Sequence, residues 1–162
     1  MRKYILKAKI FEEEHNPKDA IYAYVDGLKN NENFTDDELL DAVVLFFIAQ
    51  EYAFIDEYGL NSETQSLAWK YHKIALDKVS KFNTEAYFWR FYIPFILLNE
   101  KILNDKEIEQ LMADDETAVV YLGKNKTKEQ IMKLYTKHNL VKTERSRYIM
   151  STIGKCVSAF GA

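Results

Sequence analysis

The chain has 162 residues, of which 48% are apolar and 29% charged, and its formal net charge is −3. Large apolar residues are too frequent for a disordered chain, and no uncharged apolar run reaches the roughly 18 residues of a membrane-spanning helix. The single Cys156 excludes an internal disulfide, and the basic start lacks the apolar core of a signal peptide. We therefore expect one cytoplasmic domain, residues 1–162.

Charge is unevenly divided along this domain. Residues 124–162 carry nine basic and two acidic side chains, a net charge of +7, whereas residues 1–123 carry 13 basic and 23 acidic side chains, a net charge of −10. Such a division is typical of proteins that bind charged partners.

Helix signals dominate the chain, so we expect an all-α fold. Asn16 precedes Pro17 at a first helical position, and Thr35–Glu38, Ser62–Gln65 and Thr127–Gln130 have the capping-box pattern. The predicted helices are residues 2–14, 17–30, 36–57, 63–81, 84–103, 105–121, 128–138 and 143–160, with a short strand at 118–122 as an alternative. Short connections favour seven or eight helices in stacked antiparallel hairpins.

Two predicted helices are apolar on every face. One contains the unbroken apolar run 42–49, and the other contains residues 86–98, interrupted by Arg90 and Pro94. A helix that is apolar all round is buried, and Pro94 predicts a kink. We expect the hairpins to pack around these two helices.

Signatures of catalysis and metal binding are missing from the sequence. It has no Gly-rich phosphate loop, no Gly-x-Ser-x-Gly turn and no His-Glu-x-x-His helix. We expect no enzyme, no cofactor and no metal. An enzymatic site beside Arg90 and His72 is a weaker alternative.

A segment near the N-terminus resembles the second helix of a tetratricopeptide repeat, with Ala20, Tyr24, Gly27 and Leu28 in the register of that family. A less complete copy begins at Ala68, 48 residues later, whereas the family's period is about 34 residues. The resemblance implies helical hairpins that bind proteins or peptides.

Clusters of acidic residues favour a basic partner, because complementary charge accelerates association. In size, acidity and lack of catalytic motifs, the chain is similar, as a class, to small bacterial immunity proteins. That similarity implies a non-enzymatic inhibitor that binds and neutralises a basic toxin domain. The candidate partner-binding residues are Asp36, Asp37, Asp41, Asp56, Glu57, Asp114, Asp115 and Glu116.

The basic C-terminal segment leaves a second function open, that of a nucleic-acid-binding regulator. Its candidate residues are Lys126, Lys133, Lys137, Arg145 and Arg147. The chain has only four arginines, and arginine dominates base readout and bidentate phosphate binding. These basic side chains could also pair with acidic side chains of the same protein. We therefore expect a protein partner in preference to a nucleic acid.

Overall fold

The protein is described by a computed structural model that covers residues 2–123 and 127–161, with side chains as far as residue 154 in the last helix. Over these residues the regular structure is helical, which confirms the all-α class. The helices are α1 (Lys3–Glu13), α2 (Pro17–Lys29), α3 (Asp36–Ile48), α4 (Tyr52–Tyr58), α5 (Ser62–Lys78), α6 (Thr84–Leu98), α7 (Asp105–Asp114), α8 (Glu116–Leu122), α9 (Lys128–His138) and α10 (Glu144–Gly161). Within the described ranges, no helix combines the length and the apolar character needed to cross a membrane.

The prediction of seven or eight helices is wrong, because two predicted helices are each divided and the described residues form ten. The segment 36–57 is interrupted after Ile48. The side-chain amide of Gln50 donates hydrogen bonds to the carbonyl oxygens of Phe46 (3.2 Å) and Gln65 (3.0 Å). Extended backbone at Glu51 then separates α3 from α4.

The segment 105–121 is interrupted at Asp115, whose backbone is extended. Its carboxylate accepts a hydrogen bond from the Ala118 N–H at 3.1 Å, so it is the N-cap of a new helix. Residues 118–122 are therefore helical, and the strand alternative is wrong.

Backbone contacts divide the chain into two compact units. Unit 1 is residues 1–81 with 142–145, and unit 2 is residues 82–141 with 146–162. Unit 1 has 16 acidic and 12 basic side chains, a net charge of −4, whereas unit 2 has nine acidic and ten basic side chains, a net charge of +1. The charge division of the sequence is much weaker between the units, because the basic segment shares unit 2 with the acids of residues 100–116.

The core of unit 1 is α3, which is buried at every residue from Glu38 to Ile48. Helices α2 and α5 both pack against it, and α1 packs against α2. Gly27, one of the residues that carry the repeat resemblance, meets the following loop closely: a Cβ there would lie 3.0 Å from the Phe34 ring. The glycine therefore makes room for that loop.

The core of unit 2 is α6, whose buried aromatic residues Phe88 and Trp89 lie against Tyr121 of α8. Helix α6 continues past Pro94 and ends at Leu98, five residues earlier than predicted. Asn99 terminates it in the left-handed conformation, with φ of 54°.

Candidate functional site

The acidic turn Asp114–Glu116, which joins α7 to α8, borders three depressions in unit 2. The largest, which we call the cleft, has a volume of about 690 Å³ and is lined by Phe82, Asn83, Thr84, Glu85, Asp115, Glu116, Thr117, Lys133, Leu134, Thr136 and Lys137. A second, which we call the groove, has a volume of about 390 Å³ and is lined by Thr84, Tyr87, Leu103, Glu107, Gln110, Leu111 and Asp114. A third, smaller depression of about 190 Å³ lies on the α9 side of the turn. Three of the predicted partner-binding acids thus lie at one site.

Asp115 is a buried carboxyl group in the wall of the cleft, with 5% of its surface exposed. Besides capping α8, it accepts a hydrogen bond from the Thr84 hydroxyl at 3.1 Å. Burial, followed by the nearby charge of Glu85, raises the pKa of Asp115 to about 6. This carboxyl group therefore changes its charge near neutral pH.

Glu85 is the second buried carboxylate of the cleft, with 6% of its surface exposed. The indole N–H of Trp89 donates a hydrogen bond to it at 2.9 Å, and the Lys137 ammonium lies 3.8 Å from its other oxygen. Glu85 is not among the site residues predicted from the sequence. An acid in the first turn of an apolar helix, four residues before a tryptophan, was the available signal.

Lys133 and Lys137 lie one turn apart on α9, and each forms an ion pair with an acid of the cleft. Lys133 pairs with Glu116, and Lys137 pairs with Glu85. Burial alone would raise the pKa of Glu116, but the hydrogen bonds from Lys133 and from the Glu116 N–H, together with the charges of Lys133 and Lys137, outweigh burial and lower that pKa. Both lysine side chains are at least half exposed, at 71% and 50%, so the ion pairs lie at the solvent side of the cleft.

The groove has an apolar floor and an acidic rim. Tyr87, Leu103 and Leu111 supply the apolar surface, and Glu107 and Asp114 supply the carboxylates. Along α7, the side-chain amide of Gln110 donates hydrogen bonds to the Asp114 oxygens at 3.1 and 3.2 Å. Both side chains are exposed, so this hydrogen bond lies at the solvent side of the groove.

The other predicted acids lie in unit 1 and do not form one surface cluster. Asp36 accepts a hydrogen bond from the Ser80 N–H at 3.1 Å. Asp56 and Glu57 are exposed on α4, whereas Asp41 is buried. Burial raises the pKa of Asp41 to about 6, although Arg145 acts in the opposite direction.

The predicted nucleic-acid-binding residues are similarly dispersed. Arg145 is 2% exposed, and its guanidinium binds the carboxylates of Asp37 at 3.0 Å and Asp41 at 3.1 Å. Arg147 is half-buried on α10, and Lys126 lies outside the described residues. Lys133 and Lys137 are left at the cleft, each paired with an acid.

Unit 2 also contains a serine–histidine pair that sequence reasoning did not anticipate. His138 Nδ1 lies 2.8 Å from the Ser146 hydroxyl oxygen, and both residues are 2% exposed. The hydrogen bond joins the end of α9 to the start of α10. His72 of the weaker enzymatic alternative is buried in unit 1, and Arg90 belongs to unit 2.

The residues with described side chains include no group of three or more His, Cys, Asp or Glu arranged to hold a metal ion. No family model, no curated protein and no solved structure matches the chain.

Proposed function

We propose that this protein is a non-enzymatic binding module that captures a basic segment of a partner protein in the cleft of unit 2. In the most specific form of the proposal, it is an immunity- or antitoxin-type inhibitor that neutralises a basic toxin domain. The observation that carries the proposal is the convergence of Glu85, Asp115 and Glu116 on one cleft of about 690 Å³. That volume lies within the range of about 300–1,000 Å³ typical of ligand sites.

The ion pairs at the mouth of the cleft favour exchange with a partner's cations. Exposed pairs such as Lys133–Glu116 contribute about 0–1 kcal/mol each, so a partner's lysine or arginine can displace them at little cost. Glu85 and Asp115 lie deeper, where a lower effective dielectric strengthens attraction to a cation. The proposal requires a basic segment to gain more from these two carboxylates than it loses by desolvation and by separating the internal pairs.

The proposal implies a pH dependence of partner binding. A cation binds the ionised form of Asp115, and the pKa of this group in the protein without its partner is raised to about 6. Protonation below that pH removes the charge that attracts the partner, so affinity should fall as the pH decreases from about 7 to about 5. A partner bound elsewhere would lack this contribution from Asp115.

A pull-down followed by calorimetry tests the proposal. The immobilised protein is used to isolate a basic partner, and the dissociation constant is measured for the wild type and for the Glu85→Gln/Asp115→Asn variant. Asparagine caps helices about as well as aspartate, and glutamine can still accept the Trp89 hydrogen bond, so the fold is retained while two charges are removed. We expect at least about tenfold weaker binding, which corresponds to about 1.4 kcal/mol.

The matched control is Glu100→Gln, which removes a charge from an exposed residue of unit 2 that does not line the cleft. It should bind like the wild type. Equal affinity of the double variant and the wild type would contradict the cleft as the binding site. Failure to isolate any basic partner, together with no binding to a basic toxin domain encoded beside the gene, would contradict the inhibitor proposal itself.

The nucleic-acid alternative has less support. Lys133 and Lys137 pair with acids of the cleft, and Arg145 is buried against Asp37 and Asp41. A gel-shift titration distinguishes the two functions, since phosphate-driven binding weakens steeply as salt increases. A salt-sensitive shift that the Lys133→Glu/Lys137→Glu variant abolishes would favour nucleic acid over a basic protein.

A further inference from the structure

We infer that the groove beside the cleft is a subsite for one arginine side chain of the basic partner segment. The identity of this partner rests on the proposed function. The chemistry of its ligand, an aliphatic stem that ends in a guanidinium, follows from the residues that line the groove.

The floor of the groove is suited to the aliphatic stem. Tyr87 is 50% exposed and Leu111 is buried beneath the surface, with Leu103 between these extremes. Covering an exposed apolar floor with methylene groups is favourable, because it removes apolar surface from water. Arginine side chains commonly lay their stems along such surfaces. A compact cation without a stem would leave this floor uncovered.

The rim of the groove is suited to the guanidinium. Glu107 and Asp114 are seven residues apart on α7, so they lie on the same face of the helix about two turns apart. The Gln110 amide donates to both Asp114 oxygens, and the remaining lone pairs of this carboxylate can accept two parallel hydrogen bonds from a guanidinium. The rim therefore supplies both charge complementarity and the geometry that favours arginine over lysine.

Tyr87 already contacts a guanidinium in this structure. The central carbon of Arg90 lies 5.5 Å from the centre of the Tyr87 ring, which is within the range of a cation–π contact. Tyr87 lines the groove and Arg90 does not, so the ring offers the groove a surface that attracts a guanidinium.

The groove adjoins the proposed binding cleft. Thr84 lines both depressions, and the consecutive residues Asp114 and Asp115 line the groove and the cleft respectively. A partner segment that crosses Thr84 can therefore place one basic side chain in the cleft and an arginine in the groove. Two adjoining subsites of this kind select for closely spaced basic residues.

A titration with small probes, followed by amide chemical shifts, tests the groove without any protein partner. The probes are n-butylguanidinium, which has both stem and cation, guanidinium, which lacks the stem, and 1-butanol, which lacks the cation. We expect n-butylguanidinium alone to give saturating shifts at Tyr87, Leu103 and Leu111. Glu107→Gln should weaken that binding about three- to fivefold, the range expected for loss of one exposed ion pair.

Glu109→Gln is the matched control, because it removes the same charge from an exposed residue of α7 that does not line the groove. It should leave the affinity for n-butylguanidinium unchanged. Equal weakening by both variants would mean that the general negative charge of α7, and not the groove, attracts the probe. That result would overturn the subsite. Equal binding of guanidinium and n-butylguanidinium would overturn the role of the apolar floor.

The result separates this inference from the proposed function. Saturating shifts confined to cleft residues such as Leu134 and Thr136 would overturn the groove and leave the cleft proposal standing. Saturation at the groove by n-butylguanidinium, in a protein that binds no basic partner, would support the subsite chemistry and contradict the proposed function.

Discussion

The guanidinium of Arg145 lies 3.1 Å from the carboxylate of Asp41, although the two residues are 104 positions apart in the chain. Both side chains are buried within unit 1, at 3% and 9% exposure. Arg145 also binds the Asp37 carboxylate at 3.0 Å and its backbone carbonyl at 3.3 Å. The short segment 142–145 is thus fastened to α3 by charge-assisted hydrogen bonds.

Arg145→Ala should lower the free energy of unfolding by about 3–5 kcal/mol, because it leaves the Asp41 carboxylate buried without its cation. Denaturation by urea measures this change. Arg145→Met/Asp41→Leu removes both buried charges and should recover a large part of the loss. Lys142→Ala, in the same segment but exposed, is the control and should change stability by less than about 0.5 kcal/mol. An equally small effect of Arg145→Ala would show that the buried pair does not stabilise the fold.

The buried carboxyl group of Glu12 should make the protein less stable as the pH rises. It is 1% exposed, accepts the Tyr24 hydroxyl at 2.5 Å and the Glu144 N–H at 2.9 Å, and burial with the nearby Asp41 charge raises its pKa from 4.5 to about 8. Between pH 4.5 and about 8, Glu12 is therefore protonated in the folded state and ionised in the unfolded state. The free energy of unfolding decreases as the pH rises across that window. Glu12→Gln, which stays neutral, should flatten the decrease above about pH 6.

Urea unfolding at a series of pH values measures this slope for the wild type and Glu12→Gln. Some decrease should persist in the variant below about pH 6, since Asp41 and Asp115 also have pKa values raised from 3.8 to about 6. Parallel curves for the two proteins between pH 6 and 8 would show that Glu12 is not the group that titrates.

The carboxylate of Glu38 should give stability the opposite pH dependence. Burial alone would raise its pKa, but hydrogen bonds from Arg2, the Thr35 N–H and Lys9 outweigh burial and lower the pKa from 4.5 to about 2. The stability that Glu38 contributes is present above pH 4.5 and is lost as the pH falls towards 2. Glu38→Gln should lower the free energy of unfolding at pH 7 by about 2 kcal/mol, the magnitude of a hydrogen bond to a charged group.

The same unfolding measurement, extended to low pH, checks this prediction. The curves of Glu38→Gln and the wild type should converge as the pH approaches 2, because protonation removes the charge from the wild type. A constant difference between them at every pH would mean that packing or capping, and not the charge, accounts for the loss.

Interactions within three residues of each other could largely be predicted from the sequence. The capping boxes at Thr35–Glu38 and Thr127–Gln130 form as predicted. The box at Ser62–Gln65 is wrong by one residue, because Asn61 accepts the Thr64 N–H and caps α5. Asparagine and serine cap helices about equally well, so local chemistry alone does not choose between adjacent residues.

Features that depend on distant residues could not be predicted. The break between α3 and α4 uses the hydrogen bond from Gln50 to Gln65, 15 residues away. At the candidate site, Asp115 was predicted as a partner-binding acid, but its burial against Thr84 depends on a contact across 31 residues. The pairing of Lys137 with Glu85 joins residues 52 positions apart in the chain, and charge patterning along the sequence contains no information about such a pair.

Leu140 should be replaceable by glycine with a gain in stability. It lies between α9 and α10 with φ of 67°, a conformation that costs a residue with a Cβ about 1–2 kcal/mol. Its side chain is 88% exposed, so truncation loses little buried apolar surface. Glycine gives the unfolded chain more conformational freedom, which costs about 0.5–1 kcal/mol. The balance predicts that Leu140→Gly raises the free energy of unfolding by up to about 1 kcal/mol.

Val141→Gly is the control, because Val141 is not among the residues with positive φ, and it should lower the free energy of unfolding by about 1 kcal/mol. Urea unfolding of both variants distinguishes the outcomes: an equal loss in both would show that the backbone of Leu140 is not strained.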